Sequence, residues 1–290
     1  MEGTLRNRVA GGRFEDLRRD IVPIIIDMAQ IIWSDRIPAG SSIKAAEPPY
    51  YIIDDGRRRT LELWNGHPRS MHLLPLHGIT YSKACNDLLS TGGYPDYFLP
   101  LRFIYEGTPS ILNLGLGGGS MPDQWRKIYG LEMDSVEVDP KMIELAQKFI
   151  PETNSMNVIN QDGVDYVAEV ADSGKNYDII MQDVAVGYGI PKNFLESDFI
   201  RNAHAILSPD GVLAVNYLMA LNNLGGYWPY VRRLGAEFNV YRVEVSPRGN
   251  VILLGTDLER DELVGRIERN LPESWKEYSF VESYRQMKRR

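Results

Sequence analysis

Apolar positions recur along this chain with two periods. Phe14, Leu17, Ile21, Ile24, Ile25, Met28 and Ile32 fall three and four apart, the spacing that lines one face of a helix. Pro23 interrupts that face; it lacks an N–H and its ring crowds the preceding turn, so the helix kinks or restarts there. Next come two short runs, 50–53 and 60–64, on either side of Asp54-Asp55-Gly56, which predict a β-hairpin. Asn65-Gly66 signals another turn. Helical spacing returns over 80–89, with Tyr81, Ala84, Leu88 and Leu89 on one side, and stops at Ser90-Thr91-Gly92-Gly93. A further helix is expected over 97–105.

From Ile111 onward, strand and helix patterns alternate. Strands are expected over 111–114, 136–139, 156–159, 177–182 and 212–216, and helices over 141–149, 164–170, 194–207 and 227–234. Pro209-Asp210-Gly211 turns the chain into the 212–216 strand. Two runs, 240–245 and 251–255, read as a closing antiparallel pair, and 258–271 as a charged amphipathic helix on the outside. Such alternation gives an α/β fold: a mostly parallel sheet with helices on both faces.

The 290 residues suffice for one large α/β domain, or for one such domain and a small companion, which is the reading adopted. A net charge of -7 argues against a nucleic acid as main partner, since phosphate binding draws on clustered Lys and Arg. Arg57-Arg58-Arg59 is a local basic run and reads as a solvated turn. The single cysteine, Cys85, excludes an intramolecular disulfide and fits a reducing, cytoplasmic setting. His67, His72, His77 and His204 show no metal-ligand spacing. The apolar stretch 21–33 is too short to span a bilayer, and it starts late and lacks a cleavage site for a signal peptide.

Candidate chemistry gathers at strand ends. The run Leu114-Gly115-Leu116-Gly117-Gly118-Gly119-Ser120 breaks a strand into a glycine turn ahead of a helix, and Glu137 closes the next strand. That is a nucleotide-binding βαβ unit, in which the turn approaches the ligand and the acid takes ribose hydroxyls. Asp162-Gly163 follows the third strand and Asp183 the fourth. Each acid alone reads more readily as a helix cap than as a ligand group. A dinucleotide is one candidate ligand, but nothing downstream resembles a hydride-transfer site. The order of the four groups fits a nucleoside cofactor, with Asp162 on the exocyclic amine of adenine and Asp183 facing the reactive end.

The glycine turn with Met121-Pro122, Val136-Glu137-Val138-Asp139-Pro140, Gln161-Asp162-Gly163, 177–183 and 209–216 resembles the spermidine synthase-like group of S-adenosylmethionine-dependent transferases over about 50–256. The resemblance implies a class I methyltransferase (Rossmann-like) fold with a mostly parallel seven-stranded sheet. The chain reads as an N-terminal helical extension (1–40), which lies outside the resemblance, a small β-rich domain (41–79), the cofactor domain (80–258) and a C-terminal helical tail (259–290). The resemblance implies cofactor contacts from Gly115, Gly117, Gly119, Glu137, Asp162, Gly163 and Asp183. It also implies an acceptor pocket bordered by Tyr81, with Asp183 and Tyr81 carrying the chemistry; Tyr188, Asn216 and Tyr217 either line the same pocket or serve the structure.

Two departures bear on the reaction. Aminopropyltransferases of the group read Gly-Gly-Gly-Asp-Gly-Gly in the turn, where this chain has Gly118, and carry a second acid where this chain has Val186. A diamine in a closed pocket needs paired carboxylates to compensate its charge. The form Gly-Leu-Gly-Gly-Gly-Ser-Met-Pro instead is similar to the methyltransferase-like branch, one member of which methylates a translation elongation factor. Methyl transfer from S-adenosylmethionine to a nucleophile on a small molecule or protein is therefore the leading expectation. The alternatives are aminopropyl or aminocarboxypropyl chemistry, including intramolecular cyclisation, with the cofactor or its decarboxylated form, and a non-catalytic binding protein. A homodimer, no metal, no nucleic acid and no membrane span complete the expectations.

Overall fold

Short apolar runs punctuated by turns resolve into two sheets in the computed structural model, which describes residues 42–47, 50–54, 59–63, 75–76, 93–149, 151–185, 189–219, 224–245 and 249–290. The helices expected over 14–32 and 80–89, and with them Tyr81 and Cys85, lie outside the described residues, as do Val186 and Tyr188. The first sheet is antiparallel, in the order β1 (Ser42–Glu47), β2 (Tyr50–Asp54), β3 (Arg59–Leu63) and β4 (Pro75–Leu76). Its β2–β3 pair, with Tyr50 opposite Leu63 and Asp54 opposite Arg59, is the hairpin read from the sequence.

The second sheet holds β5 (Ile111–Leu114), β6 (Asp134–Glu137), β7 (Asn157–Asn160), β8 (Tyr177–Gln182), β9 (Leu207–Leu218), β10 (Asn239–Glu244), β11 (Asn250–Thr256) and β12 (Lys288–Arg289). Their order is β12-β10-β11-β9-β8-β5-β6-β7. The strands from β9 to β7 are parallel, and β11 and β10 add on antiparallel. This is the expected seven-stranded sheet, with β12 as an eighth strand on the edge of β10. Two consecutive basic residues carry no apolar alternation, so nothing local announced β12. The chain steps outward from β5 through β6 to β7 and then returns to β8 on the other side of β5. That reversal opens a crevice beyond the carboxyl ends of β5 and β8.

Helices α1 (Ser120–Tyr129), α2 (Pro140–Phe149), α3 (Gly163–Ser173), α4 (Ser197–Ala205), α5 (Leu224–Glu237), α6 (Arg260–Asn270) and α7 (Ser279–Arg285) connect and follow these strands. Alternate strand residues feed two cores. Ile180, Leu213 and Leu253 pack with Val167, Phe199 and Tyr230. Met181, Ala214 and Leu254 pack with Leu101, Trp125, Leu263 and Phe280.

Three elements differ from their sequence patterns. The helix expected over 97–105 is a 3-10 helix, Tyr94–Ile104, whose Pro95 and Pro100 bring no amide hydrogens to a regular α-ladder. The turn at Pro209-Asp210-Gly211 lies inside β9: Asp210 takes a left-handed φ of 64° and the register to β8 breaks between Tyr177 and Ile179. Arg266 Nη2 bonds the Asp210 carboxylate at 2.9 Å. Finally, the tail beyond 258 belongs to the core. Leu263, Ile267, Phe280, Val281 and Tyr284 are buried, and the Tyr284 hydroxyl donates to Tyr97 O at 2.7 Å.

Candidate active site

The glycine turn after β5 is shaped by close approaches that a side chain would block. Gly115 has φ +95°, and a Cβ there would overlap the Asp183 carbonyl oxygen at the end of β8. Gly119 has φ +76° and begins α1, and a Cβ there would lie 2.5 Å from Thr153 Cγ2. Only glycine meets both demands, a left-handed backbone and no side chain. Gly117, with φ +51°, is the third left-handed residue of the turn. The Asn113 amide donates to Gly115 O at 2.8 Å, and Gly115 N donates to Val136 O at 2.8 Å, so both flanking strands hold the turn.

Glu137, at the end of β6, reaches into this turn. Its Oε2 accepts from Leu116 N at 3.1 Å and Gly117 N at 3.4 Å, and its Oε1 accepts from Asp139 N at 3.0 Å. Asp162 is the N-cap of α3: Oδ1 accepts from Val164 N at 2.8 Å, while Oδ2 has a long contact to Asn193 Nδ2 at 3.5 Å. The cap reading of this acid thus holds, and its second oxygen remains lightly engaged. Gly163 is packed against the Phe194 ring, 2.9 Å from where a Cβ would stand.

Asp183 is the centre of the other half of the crevice. Its Oδ1 accepts from Asn216 Nδ2 at 2.7 Å and its Oδ2 from the Tyr94 hydroxyl at 2.9 Å. Asn216 Oδ1 in turn accepts from Asn250 Nδ2 at 2.7 Å. Desolvation pushes the Asp183 carboxyl up from its ordinary range; the hydrogen bonds from Asn216 and Tyr94 pull it down without cancelling that push. Burial, and then the Asp183 charge, push the Tyr94 phenol well up, so it stays a protonated donor.

Of the acceptor-pocket candidates, Asn216 meets Asp183. Its neighbour Tyr217 points to the opposite face of β9, because side chains alternate along a strand. It is buried against Tyr227, with ring centroids 5.3 Å apart, and stacks on Tyr230 at 5.9 Å. Tyr94 and Asn250 escaped the sequence reading. Tyr94 follows a glycine pair and Asn250 ends a Pro-Arg-Gly-Asn turn, so both looked like loop residues. His204 pairs with Asp257 at 3.2 Å, and among the described residues no group of His, Cys, Asp and Glu is arranged to hold a metal. No described helix is long and apolar enough to cross a membrane.

A parallel sheet reversing at β5, a glycine turn, and acids ending β6 and β8 define an α/β protein of the class I methyltransferase type. Residues 109–219 match the spermine/spermidine synthase domain. The chain is 34% identical over 155 residues to the eEF1A lysine and N-terminal methyltransferase of Homo sapiens, covering 45% of this chain and 22% of that one. It is 28% identical over 146 residues to the polyamine aminopropyltransferase of Vibrio vulnificus, covering 49% of each. The chain thus spans less than half the length of these relatives. The crystal structure of human methyltransferase-like protein 13 in complex with SAH superposes with a TM-score of 0.51 at 27% identity, over 66% of this chain and 90% of that one. The spermidine synthase of Thermotoga maritima shares the fold, with a TM-score of 0.52 at 16% identity over 83% and 78% of the two chains.

Proposed function

We propose that this chain transfers the methyl group of S-adenosylmethionine to an amine nucleophile on a protein or small molecule. The observation that carries the reading is the packing of Gly115 on the Asp183 main-chain carbonyl, which sets the glycine turn beside the strand end that bears the carboxylate. The residues suit the cofactor: the glycine turn lies beside the end of β8, Glu137 ends β6, and Asp162 has a lightly engaged oxygen. When bound, the cofactor supplies an electrophilic methyl on a sulfonium.

The protein's own residues bind and orient. Glu137 takes the ribose hydroxyls through lone pairs that its three backbone donors leave over, since a carboxylate offers about four. Asp162 Oδ2 accepts from the adenine amine. Asp183 accepts an N–H of the incoming amine and holds its proton, a task its upward-shifted carboxyl suits. Tyr81 and Tyr188 border the acceptor. Positioning supplies most of the acceleration, because in-line methyl transfer asks little other chemistry of the protein.

A protein acceptor is favoured by the human relative named above and by a 32% identical stretch of the N-terminal histidine N-methyltransferase of Emericella nidulans. Gly118 and Val186, in place of acids, disfavour a diamine. Aminopropyl transfer, supported by the Vibrio relative, is the competing reaction. Incubating the chain with S-adenosylmethionine and amine-bearing peptides is expected to release S-adenosylhomocysteine. Release of methylthioadenosine alone, or turnover only with decarboxylated cofactor and putrescine, would overturn the reading. We place the protein in the cytoplasm as a homodimer, supported by its single cysteine and the apolar face over 14–32. A light-scattering mass of 33.0 kDa, that of one chain, would refute the dimer.

A further inference from the structure

The amide of Asn216 has two orientations, related by a half-turn, that exchange a donor for an acceptor. In one, Nδ2 donates to Asp183 and Oδ1 accepts from Asn250, at 2.7 Å each. In the other, Oδ1 would face the Asp183 carboxylate, acceptor against acceptor, and Nδ2 would face the Asn250 amide, donor against donor. The second contact is made by Asn250, whose amide in its observed orientation favours Oδ1 of Asn216 on that side. Asn250 opens β11 opposite Leu218 of β9, two residues along from Asn216 and on the same sheet face, so the two side chains are diagonal neighbours. Tyr94 cannot play this part, because it bonds the other oxygen of Asp183 and its hydroxyl rotates freely to donate or accept.

We infer that Asn250 is a positioning residue of the site: it fixes the orientation of Asn216 and thereby keeps Asp183 a hydrogen-bond acceptor for the incoming amine. The inference rests on the role proposed for Asp183. Among the described residues, the groups bonded to that carboxylate are Asn216 from β9 and Tyr94 from the 3-10 helix, while Gly115 of the glycine turn packs on the Asp183 main-chain carbonyl. None of them is a cation, so the neutral donors decide how readily Asp183 takes a proton. With the Asn216 amide reversed, Asp183 would have to carry a proton to meet the Oδ1 opposite it.

The test is a pH titration of the full chain carrying 13Cγ-labelled aspartate, with the Asp183 resonance assigned by its loss in Asp183→Asn. Asn250→Leu, similar in shape without a donor, is expected to raise the Asp183 midpoint by about one pH unit, a tenfold change in proton affinity. Asn250→Gln, which keeps an amide donor, returns it toward wild type. Binding of S-adenosylhomocysteine within twofold of wild type shows that each variant is folded. A midpoint unchanged in the Leu variant would overturn the inference, whatever its melting temperature. No acceptor is used, so the two readings fail separately. A midpoint that follows residue 250 in a protein that releases no S-adenosylhomocysteine keeps the positioning role and removes the reaction.

Discussion

Gly115 and Asp183 lie backbone against backbone: a Cβ on Gly115 would overlap the Asp183 carbonyl oxygen and sit 3.0 Å from its carbonyl carbon. β5 and β8 are hydrogen-bonded neighbours, and Asp183 N donates to Leu114 O at 2.9 Å, so neither backbone can retreat without breaking the sheet at its switch point. Gly115→Ala therefore meets a left-handed φ and a blocked approach together. We expect a loss of about 2–4 kcal/mol in stability and at least about tenfold weaker binding of S-adenosylhomocysteine. Calorimetry and a thermal melt read both, and a variant matching wild type in each would show that this contact does not shape the crevice.

Glu137 shares its two oxygens among three backbone donors. Glu137→Gln keeps one acceptor oxygen and places an NH2 against a remaining N–H. The turn should lose about 1–3 kcal/mol of hydrogen bonding, and affinity for S-adenosylhomocysteine should fall about ten- to hundredfold. Unchanged affinity would remove Glu137 from the cofactor site.

Asp183 costs stability at neutral pH. Its folded-state carboxyl is shifted up, so the folded protein binds the proton more tightly than the unfolded chain does. Below the unfolded value of about 3.9 both states are protonated and the group is neutral in its effect; as pH rises through that value toward the folded one, stability is lost. Asp183→Asn should raise stability by about 1 kcal/mol at pH 7, with little gain below about pH 4, while transfer is abolished. The Tyr94 hydroxyl can accept from the new NH2, so the variant has a partner on each side. Chemical denaturation at both pH values checks this, and a gain equal at the two would contradict the sign.

Asp134 behaves in the opposite sense. Burial acts to raise its carboxyl, but hydrogen bonds from Lys175, Tyr177 and Asn157 outweigh it and hold the group below its usual range. Its stabilisation is thus present above the unfolded value of about 3.9 and fades as pH falls through the lower folded value. Asp134→Asn should cost about 1–3 kcal/mol at pH 7, and progressively less in acid. A penalty that grows on acidification would refute the assignment.

Much of the sheet was legible because its signals are local. Ile111–Leu114, Tyr177–Gln182 and Asn250–Thr256 are runs of apolar residues ended by turns, and a strand buried on both faces needs that composition wherever it lies in the chain. Where position in the fold overrode local pattern, the reading slipped. The helical pattern over 97–105 is a 3-10 helix that begins at Tyr94, Pro209-Asp210-Gly211 lies within a strand and not between elements, and the last thirty or so residues join the core and do not form an outer tail. Each is decided by packing: eight of the eleven residues of the 3-10 helix are buried, and Tyr284 reaches back 187 residues to Tyr97.

The same division runs through the site. By itself the sequence determined the nucleotide-binding unit, because a strand, a glycine turn, a helix and an acid at set spacing generate that geometry from one continuous stretch. It also ordered the strand-end acids Glu137, Asp162 and Asp183. Only the tertiary structure decided what surrounds Asp183. Tyr94, Asn216 and Asn250 are separated by 122 and 34 positions in the chain and meet because β8, β9 and β11 are neighbours beneath the 3-10 helix. It also decided that Asn216 faces the carboxylate while Tyr217 enters the opposite core, since strand alternation sends adjacent side chains to different faces and only the register shows which face holds the crevice.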